Sequence, residues 1–258
     1  MISHLREIFW SLSVLWDLKG VVWPPDRLRL WRKTIHLYFS FLAFTDHWRP
    51  ADQLRRAMVC ALLTAVYDYD SDWEQGRRDG LNFHTLLERY VRSGEAYSLA
   101  SGLFAGDVSQ GLSGDGLERG SAALRFYWLV MDSEWMRGYT REEINSFGRK
   151  LQIVDDLLDL ETDYLTYDTN CLLLEDQAQG FANEAREFLN GRFFTQLKTN
   201  SRVYRVIGTT ASKVLNRFGS SQVSCGQLFQ TGRPATAGLF GLVLPLVSFS
   251  FYGGVPWS

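Results

Sequence analysis

Apolar residues recur along most of the chain at the three- and four-residue spacing that places them on one face of a helix. After Pro50, for example, Leu54, Met58, Leu62 and Val66 follow one another at intervals of four residues. The strict two-residue alternation that is typical of strands is scarce. We therefore predict an all-α protein. The periodic stretches place its helices at about 26–44, 50–73, 82–104, 117–136, 141–165, 175–198 and 201–218.

The two ends of the chain differ from its middle. Residues 1–48 contain five of the nine tryptophans, interleaved with arginines, and this composition suits the interface of a bilayer. Within them, residues 8–16 are apolar and lack a following cleavage site, which favours an amphipathic helix over a signal peptide. Residues 219–258 carry no acid, and Pro245 interrupts their apolar run at 237–252. That tail is either a buried terminal helix or a membrane-seeking segment.

The amino-acid composition argues against several classes of function. A net charge of −2 argues against nucleic-acid binding through a broad basic surface. The three cysteines are far apart and the four histidines show no metal-ligand spacing, so neither a disulfide framework nor a histidine metal site is predicted. We expect one helical domain over residues 1–258, located in the cytoplasm. A peripheral association with membranes and a homodimer both stay open.

Polar side chains between Leu151 and Asp163 form one stripe on the predicted helix. Apolar residues flank this stripe on both sides, so we expect a buried helix whose carboxylates face an internal cavity. Uncompensated carboxylates are costly to bury and should take up protons or bind cations. Carboxylates without nearby His or Cys favour Mg²⁺. At about 100° per residue the stripe comprises Gln152, Asp155, Asp156, Asp159 and Asp163.

A second acidic pair, Asp68 and Asp72, shares a helix face at four-residue spacing. The residues before the pair on that face, between 57 and 65, are small and leave room beside the carboxylates. Two such faces turned toward one cavity would hold divalent ions, and a diphosphate is the natural polyanion between them. Two alternatives stay open. One is an ordinary cluster of surface acids, and the other is a calcium loop, although Trp73 stands where that loop needs glycine.

These residues resemble the motifs of the class I isoprenoid synthases. The run from Leu151 to Asp159 is similar to the second Asp-rich motif of trans-prenyl diphosphate synthases. Phe147-Gly-x-x-Leu-Gln, followed by Asp159-x-x-x-Asp163, is similar to the squalene/phytoene synthase pattern. The first motif of that family is also Asp-x-x-x-Asp, which residues 68–72 match.

The continuation of the second motif through Asp168 and Asn170 resembles the large terpene cyclases related to tetraprenyl-β-curcumene synthase. In all, the resemblance covers about residues 50–175. It implies an antiparallel helical bundle with a central cavity, in which about three Mg²⁺ ions hold and ionise an allylic prenyl diphosphate. The metal ligands that it implies are Asp68, Asp72, Asp155, Asp156, Asp159 and Asp163, and the catalytic carboxylates among them are Asp68, Asp72, Asp159 and Asp163.

The chain also departs from these families. Its two motifs lie 91 residues apart, closer than we expect for the squalene synthase branch, and the first motif is not DDxxD. It lacks the N-terminal segment that binds isopentenyl diphosphate. We therefore predict a Mg²⁺-dependent terpene synthase that ionises and cyclises one linear prenyl diphosphate. A squalene/phytoene-type prenyltransferase that couples two prenyl diphosphates is the alternative, and a non-catalytic membrane-associated helical module is the second alternative.

Basic and aromatic residues complete the predicted site. Arg202, Tyr204 and Arg205 follow the second motif and are the predicted diphosphate-binding residues, because fixed cations help an anionic group to leave. Asn170 either extends the substrate site or caps a helix end. Aromatic faces would shield and stabilise a carbocation. The rings predicted for this role are Tyr67, Tyr69, Phe126, Tyr127, Trp128 and Trp135.

Overall fold

A computed structural model describes residues 2–19, 24–71, 81–92, 94–110, 116–166, 170–174 and 177–219. The regular structure in this part of the chain is entirely helical, which confirms the all-α prediction. Its α-helices are α1 (Ile2–Trp16), α2 (Pro24–Phe41), α3 (Ala51–Asp70), α4 (Leu81–Tyr90), α5 (Glu95–Gln110), α6 (Gly116–Met131), α7 (Arg141–Thr166), α8 (Ala178–Asn190), α9 (Arg192–Asn200) and α10 (Arg202–Gly219).

Side chains fix the starts of two of these helices. The Thr140 amide donates to the Glu143 carboxylate at 2.8 Å, and the Glu143 amide donates to the Thr140 hydroxyl at 3.2 Å, which is a capping box for α7. Asp70, the last residue of α3, accepts hydrogen bonds from Asn82 Nδ2 at 3.0 Å and from the Phe83 amide at 2.7 Å. Asp70 therefore satisfies backbone groups at the start of α4.

Two predicted helices are each divided in the structure. The helix predicted at 82–104 is α4 followed by α5, because Arg92 and Gly94 adopt φ angles of 64° and 105° between them. The helix predicted at 175–198 is α8 followed by α9, with Gly191 in an extended conformation at the junction. Each break turns the chain and lets two short helices pack where one long helix would project.

The packing centres on α6 and α7, which cross at two glycines. A Cβ atom on Gly148 would lie 2.4 Å from the carbonyl oxygen of Gly120, so only glycine permits this approach. Helix α7 also packs against α8 and α10, while α3 packs against α1, α2, α4 and α6. Helix α6 therefore contacts both α3 and α7, the helices on which Asp68 and the acidic stripe lie.

The antiparallel bundle with a central cavity and the single domain over residues 1–258 stay predictions. The apolar tail, from residue 220 onward, lies outside the described residues. None of the described helices is long and apolar enough to cross a bilayer.

Candidate functional site

The acidic stripe lies on α7, and the apolar residues beside it are buried up to Leu160. Beyond that point Tyr164 and Leu165 are 41% and 67% exposed. The prediction that buried apolar residues flank the stripe is therefore correct up to Leu160. It is wrong for the C-terminal end of the stripe, because α7 leaves the core there and its apolar side chains are exposed. Asp155 lies in the enclosed part, and Asp163 lies where the helix emerges.

The structure divides the stripe into two groups of acids. Asp156 accepts hydrogen bonds from Gln152 Nε2 and from the Cys171 amide, both at 2.8 Å. Asn170 Nδ2 donates to Asp163 at 2.8 Å and to the backbone carbonyl of Asp156 at 2.6 Å. Asp156 and Asp163 thus hold the turn at 170–174 against α7.

Asn170 has a structural role in this turn. Its side chain is buried and accepts a hydrogen bond from the Leu172 amide at 2.9 Å, which caps the short 3₁₀ helix Cys171–Leu173. The prediction that Asn170 caps the end of α7 is wrong, because its side chain caps the start of the 3₁₀ helix that follows. Its binding of substrate stays a prediction, and Asp168 lies outside the described residues.

Asp155 is the buried acid that this turn does not reach. It is 6% exposed, and its Oδ1 atom has no hydrogen-bond partner among the described residues. Burial raises the pKa of Asp155 well above its ordinary value, and the negative charges of Asp159, Asp156 and Asp163 raise it further. The Oε1 atom of Gln152, one turn away, also lacks a partner in the described part of the chain. The inner end of the stripe is therefore a polar region without enough hydrogen-bond donors.

Two buried tyrosines connect this region to α3. The Tyr204 hydroxyl, from α10, is fully buried and has no hydrogen-bond partner within the described ranges. Burial raises the pKa of Tyr204, and electrostatic interactions with Tyr127 and Asp155 raise it further, so both groups lie near it. The Tyr127 hydroxyl, from α6, shares a 3.0 Å hydrogen bond with Thr64 of α3. A line of buried polar groups thus runs from α7 to α3.

The acids of α3 have their own contacts. Asp68 forms an ion pair with Lys33 of α2, and its charge raises the pKa of Tyr127, after the larger effect of burial. Asp68 therefore lies toward the same polar region as the α7 stripe. Its predicted partner Asp72 lies outside the described residues. Lys33 was missed from the sequence because nothing in local spacing pairs two residues on different helices.

The three residues predicted to bind diphosphate do not share one face of α10. Tyr204 is fully buried, whereas Arg202 and Arg205, three residues apart, are both exposed. Their binding of diphosphate stays a prediction. Arg119 of α6 is the cation found near the stripe, since it is buried and its charge opposes the rise that burial causes in the pKa of Asp156. Sequence reasoning did not identify Arg119.

Most of the predicted aromatic residues belong to packing clusters elsewhere. Tyr67 contacts Phe83 and Phe104 at ring-centroid distances of 5.1 Å, between α3, α4 and α5. Trp135 contacts Phe193 at 5.4 Å near the start of α9. Tyr127 is the predicted ring that lies beside the polar region. The others are Tyr69, which donates to Asp26 at 3.2 Å, Phe126, which packs on Tyr127, and Trp128, which donates to the Met136 carbonyl at 3.1 Å.

The chemistry of the stripe suits a hard cation. Its donors are carboxylate oxygens, which Mg²⁺ prefers, and the unpartnered oxygen of Asp155 needs either a proton or a cation. Within the described ranges, however, no three Asp, Glu, His or Cys side chains are arranged to hold a metal ion together. Mg²⁺ is commonly held by one or two carboxylates together with phosphate oxygens. A Mg²⁺ ion here would therefore need ligand oxygens beyond those of the described residues.

Comparisons with family models, with curated proteins and with solved structures give no match for this chain. The function proposed below is therefore based on the geometry of the site and on the sequence motifs.

Proposed function

We propose that the chain is a Mg²⁺-dependent class I terpene synthase that ionises a linear prenyl diphosphate and cyclises the resulting cation with release of diphosphate. The observation that supports this most strongly is Asp155, a buried carboxylate that lies beside other carboxylates and whose Oδ1 atom has no hydrogen-bond partner among the described residues. Such an arrangement destabilises a fold, so it persists where a ligand uses it. The two acidic motifs and their likeness to isoprenoid synthases specify the ligand.

In this proposal Asp155, Asp159 and Asp163 of α7 would hold Mg²⁺ together with Asp68 of α3 and with Asp72, which lies outside the described residues. The metal supplies positive charge that stabilises the departing diphosphate. Because Asp68 pairs with Lys33, substrate binding requires that Lys33 either move or contact the diphosphate itself. The same proposal includes an antiparallel bundle of the isoprenoid synthase type around a cavity for the prenyl chain.

The protein's own residues have two further tasks in the proposal. Tyr127 and Tyr204 present aromatic faces to the cation, and each contact of this kind contributes about 0.5–2 kcal/mol. Phe41 lies 4.6 Å from Tyr127, and Phe44 and Phe194 each lie 6.0 Å from Tyr204, between ring centroids. This aromatic and apolar surrounding excludes water, which would otherwise quench a carbocation.

A product assay tests the proposal. The intact protein is incubated with Mg²⁺ and C10, C15 or C20 prenyl diphosphates, and the released diphosphate and the hydrocarbon product are measured. We expect diphosphate release with a cyclic product of unchanged carbon number. Asp159→Ala should abolish release while the helical circular dichroism is retained. Glu161→Gln is the matched control, because Glu161 is an exposed acid on the same helix outside the stripe.

Other outcomes would replace the proposal. A product with twice the carbon number would identify a prenyltransferase that couples two substrates. No diphosphate release from any of the three substrates would favour the non-catalytic helical module. Equal activity of Asp159→Ala and the intact protein would contradict the assignment of the stripe as the metal site.

A further inference from the structure

Helix α1 presents large apolar side chains to solvent along its whole length. The exposed fractions are 82% for Ile2, 45% for Leu5, 64% for Phe9 and 51% for Trp16. At about 100° per residue these four residues fall within an arc of about 60°. We call them the outer ridge. A surface helix usually turns its apolar stripe toward the core, and α1 does bury Val14 and Leu15, so the outer ridge is a second apolar face that the core does not use.

The face of α1 that packs against the protein also contains a buried acid. Glu7 is fully buried and forms ion pairs with Arg6, at 3.0 Å, and with Arg55 of α3. The Trp31 indole donates to the Ile8 carbonyl at 3.2 Å, which fixes α1 against α2. A buried ion pair and a specific hydrogen bond therefore set the rotation of α1 about its axis. This rotation holds the outer ridge outward.

A second contact between α1 and α2 supports the same rotation. The Tyr38 hydroxyl and His4 Nδ1 share a hydrogen bond of 2.8 Å. Tyr38 is fully buried, so this bond is part of the packed interior. Rolling α1 to bury the outer ridge would break this bond and the Glu7 pairs together.

Positive charge predominates in the segment that contains the outer ridge. Residues 2–33 carry six Lys and Arg against three Asp and Glu, and the Arg27 guanidinium lies 5.2 Å from the centre of the Trp16 ring. Lys19, Arg29 and Arg32 are exposed; among the acids Asp17 is exposed as well, whereas Glu7 is buried in ion pairs. An apolar helix face bordered by cations matches the surface of an anionic bilayer.

We propose that the outer ridge docks the protein peripherally on an anionic lipid surface, with α1 lying parallel to the membrane plane. A helix of this length spans about 22 Å, and its apolar side chains reach the boundary between headgroups and acyl chains. The cations of α2 contact the lipid headgroups at the same time. This proposal is independent of the chemistry at α7.

Vesicle co-sedimentation of the full chain tests the proposal. The vesicles contain phosphatidylcholine with or without phosphatidylglycerol. The test variant is Leu5→Ser/Phe9→Ser, and the matched control is Leu81→Ser/Leu174→Ser, because both control residues are 54% exposed and lie on other elements. Circular dichroism checks that both variants remain helical.

We expect the intact protein to bind vesicles with phosphatidylglycerol more tightly than those without it, and to bind more weakly at high salt. Leu5→Ser/Phe9→Ser should reduce the apparent affinity by at least about tenfold, since two apolar side chains no longer enter the lipid. The control variant should bind like the intact protein.

Three results would overturn the proposal. The first is that the intact protein binds neither kind of vesicle. Binding by Leu5→Ser/Phe9→Ser that equals the intact protein would place the contact on another segment, such as residues 220–258. Conversion of a dimer to a monomer by Leu5→Ser/Phe9→Ser, without vesicle binding by the intact protein, would make a second copy of the chain the partner.

Discussion

Helices α1 and α7 each bury a carboxylate, but they do so in different ways. Glu7 of α1 is fully buried, and its two oxygens contact Arg6 and Arg55. Asp155 of α7 is nearly as buried, yet its Oδ1 atom has no partner among the described residues and its neighbours are other acids. A buried carboxylate with complete ion pairs is a structural element. A buried carboxylate without them weakens the fold and indicates a site that something else completes.

The same contrast separates the two proposals. At α1 the polar contacts are satisfied inside the protein, and the unsatisfied feature is the apolar outer ridge, which needs an apolar partner. At α7 the apolar residues beside the stripe are buried up to Leu160, and the unsatisfied feature is Asp155 at the inner end of the stripe, which needs a proton or a cation. The unsatisfied feature of each helix thus indicates what it would bind: an apolar surface at α1, and a proton or a cation at α7.

Glu7→Gln gives the largest expected change in stability. The substitution removes the charge that pairs with Arg55, so we expect the free energy of unfolding to fall by about 2 kcal/mol. Urea denaturation followed by circular dichroism measures this change. The double variant Glu7→Gln/Arg55→Gln should recover part of the loss, because no charge is then left unpaired. A neutral effect of Glu7→Gln would show that its burial is not stabilised by these pairs.

Asp155→Asn should change stability in the opposite direction. It removes the charge while keeping the shape, so near neutral pH we expect the free energy of unfolding to rise by about 1 kcal/mol. Diphosphate release should be lost at the same time. Glu161→Gln is the control and should change neither quantity. A loss of stability in Asp155→Asn would remove the distinction between Asp155 and Glu7.

Two tyrosine substitutions give the smallest effects and extend the comparison to hydroxyl groups. Tyr127→Phe breaks the hydrogen bond with Thr64 and should cost about 1 kcal/mol of unfolding free energy. Tyr204→Phe removes a hydroxyl that has no partner in the described part of the chain, and should leave stability within about 0.5 kcal/mol. Urea denaturation compares the two variants. A larger loss in Tyr204→Phe than in Tyr127→Phe would mean that the Tyr204 hydroxyl has a partner.

Much of α7 could be predicted from the sequence because its information is local. Helical periodicity placed the stripe on one face, and Thr140 with Glu143 marked the start of the helix. The interruptions at Arg92 and Gly191 were not predicted, because a strong periodic pattern continues across both. Tertiary packing decides whether a helix continues through such a position or breaks there.

The contacts of the site residues depended on distant parts of the chain and could not be predicted. Lys33 meets Asp68 only because α2 packs on α3, and Asp156 turns to the Cys171 amide only because the following turn folds back. Likewise, the sequence marked residues 8–16 as apolar and amphipathic, but it did not indicate that Glu7 would be buried while Phe9 and Trp16 are exposed. No periodicity specifies which face of a helix its neighbours cover.

The most direct test of the central claim compares the intact protein with Asp155→Asn as pH changes. Folding raises the pKa of Asp155, so the native state binds this proton more tightly than the unfolded state does. The stability that Asp155 contributes is therefore complete below its unfolded pKa, about 3.9, and is lost as pH rises through the raised value. Asp155→Asn lacks this loss.

The measurement is the melting temperature of both proteins from about pH 5 to about pH 8, with and without Mg²⁺ plus inorganic diphosphate. We predict that Asp155→Asn is the more stable protein and that its advantage grows as pH rises. We also predict that Mg²⁺ with diphosphate stabilises only the intact protein. An advantage that does not change with pH, together with equal stabilisation of both proteins by Mg²⁺ and diphosphate, would contradict the assignment of Asp155 to a ligand site.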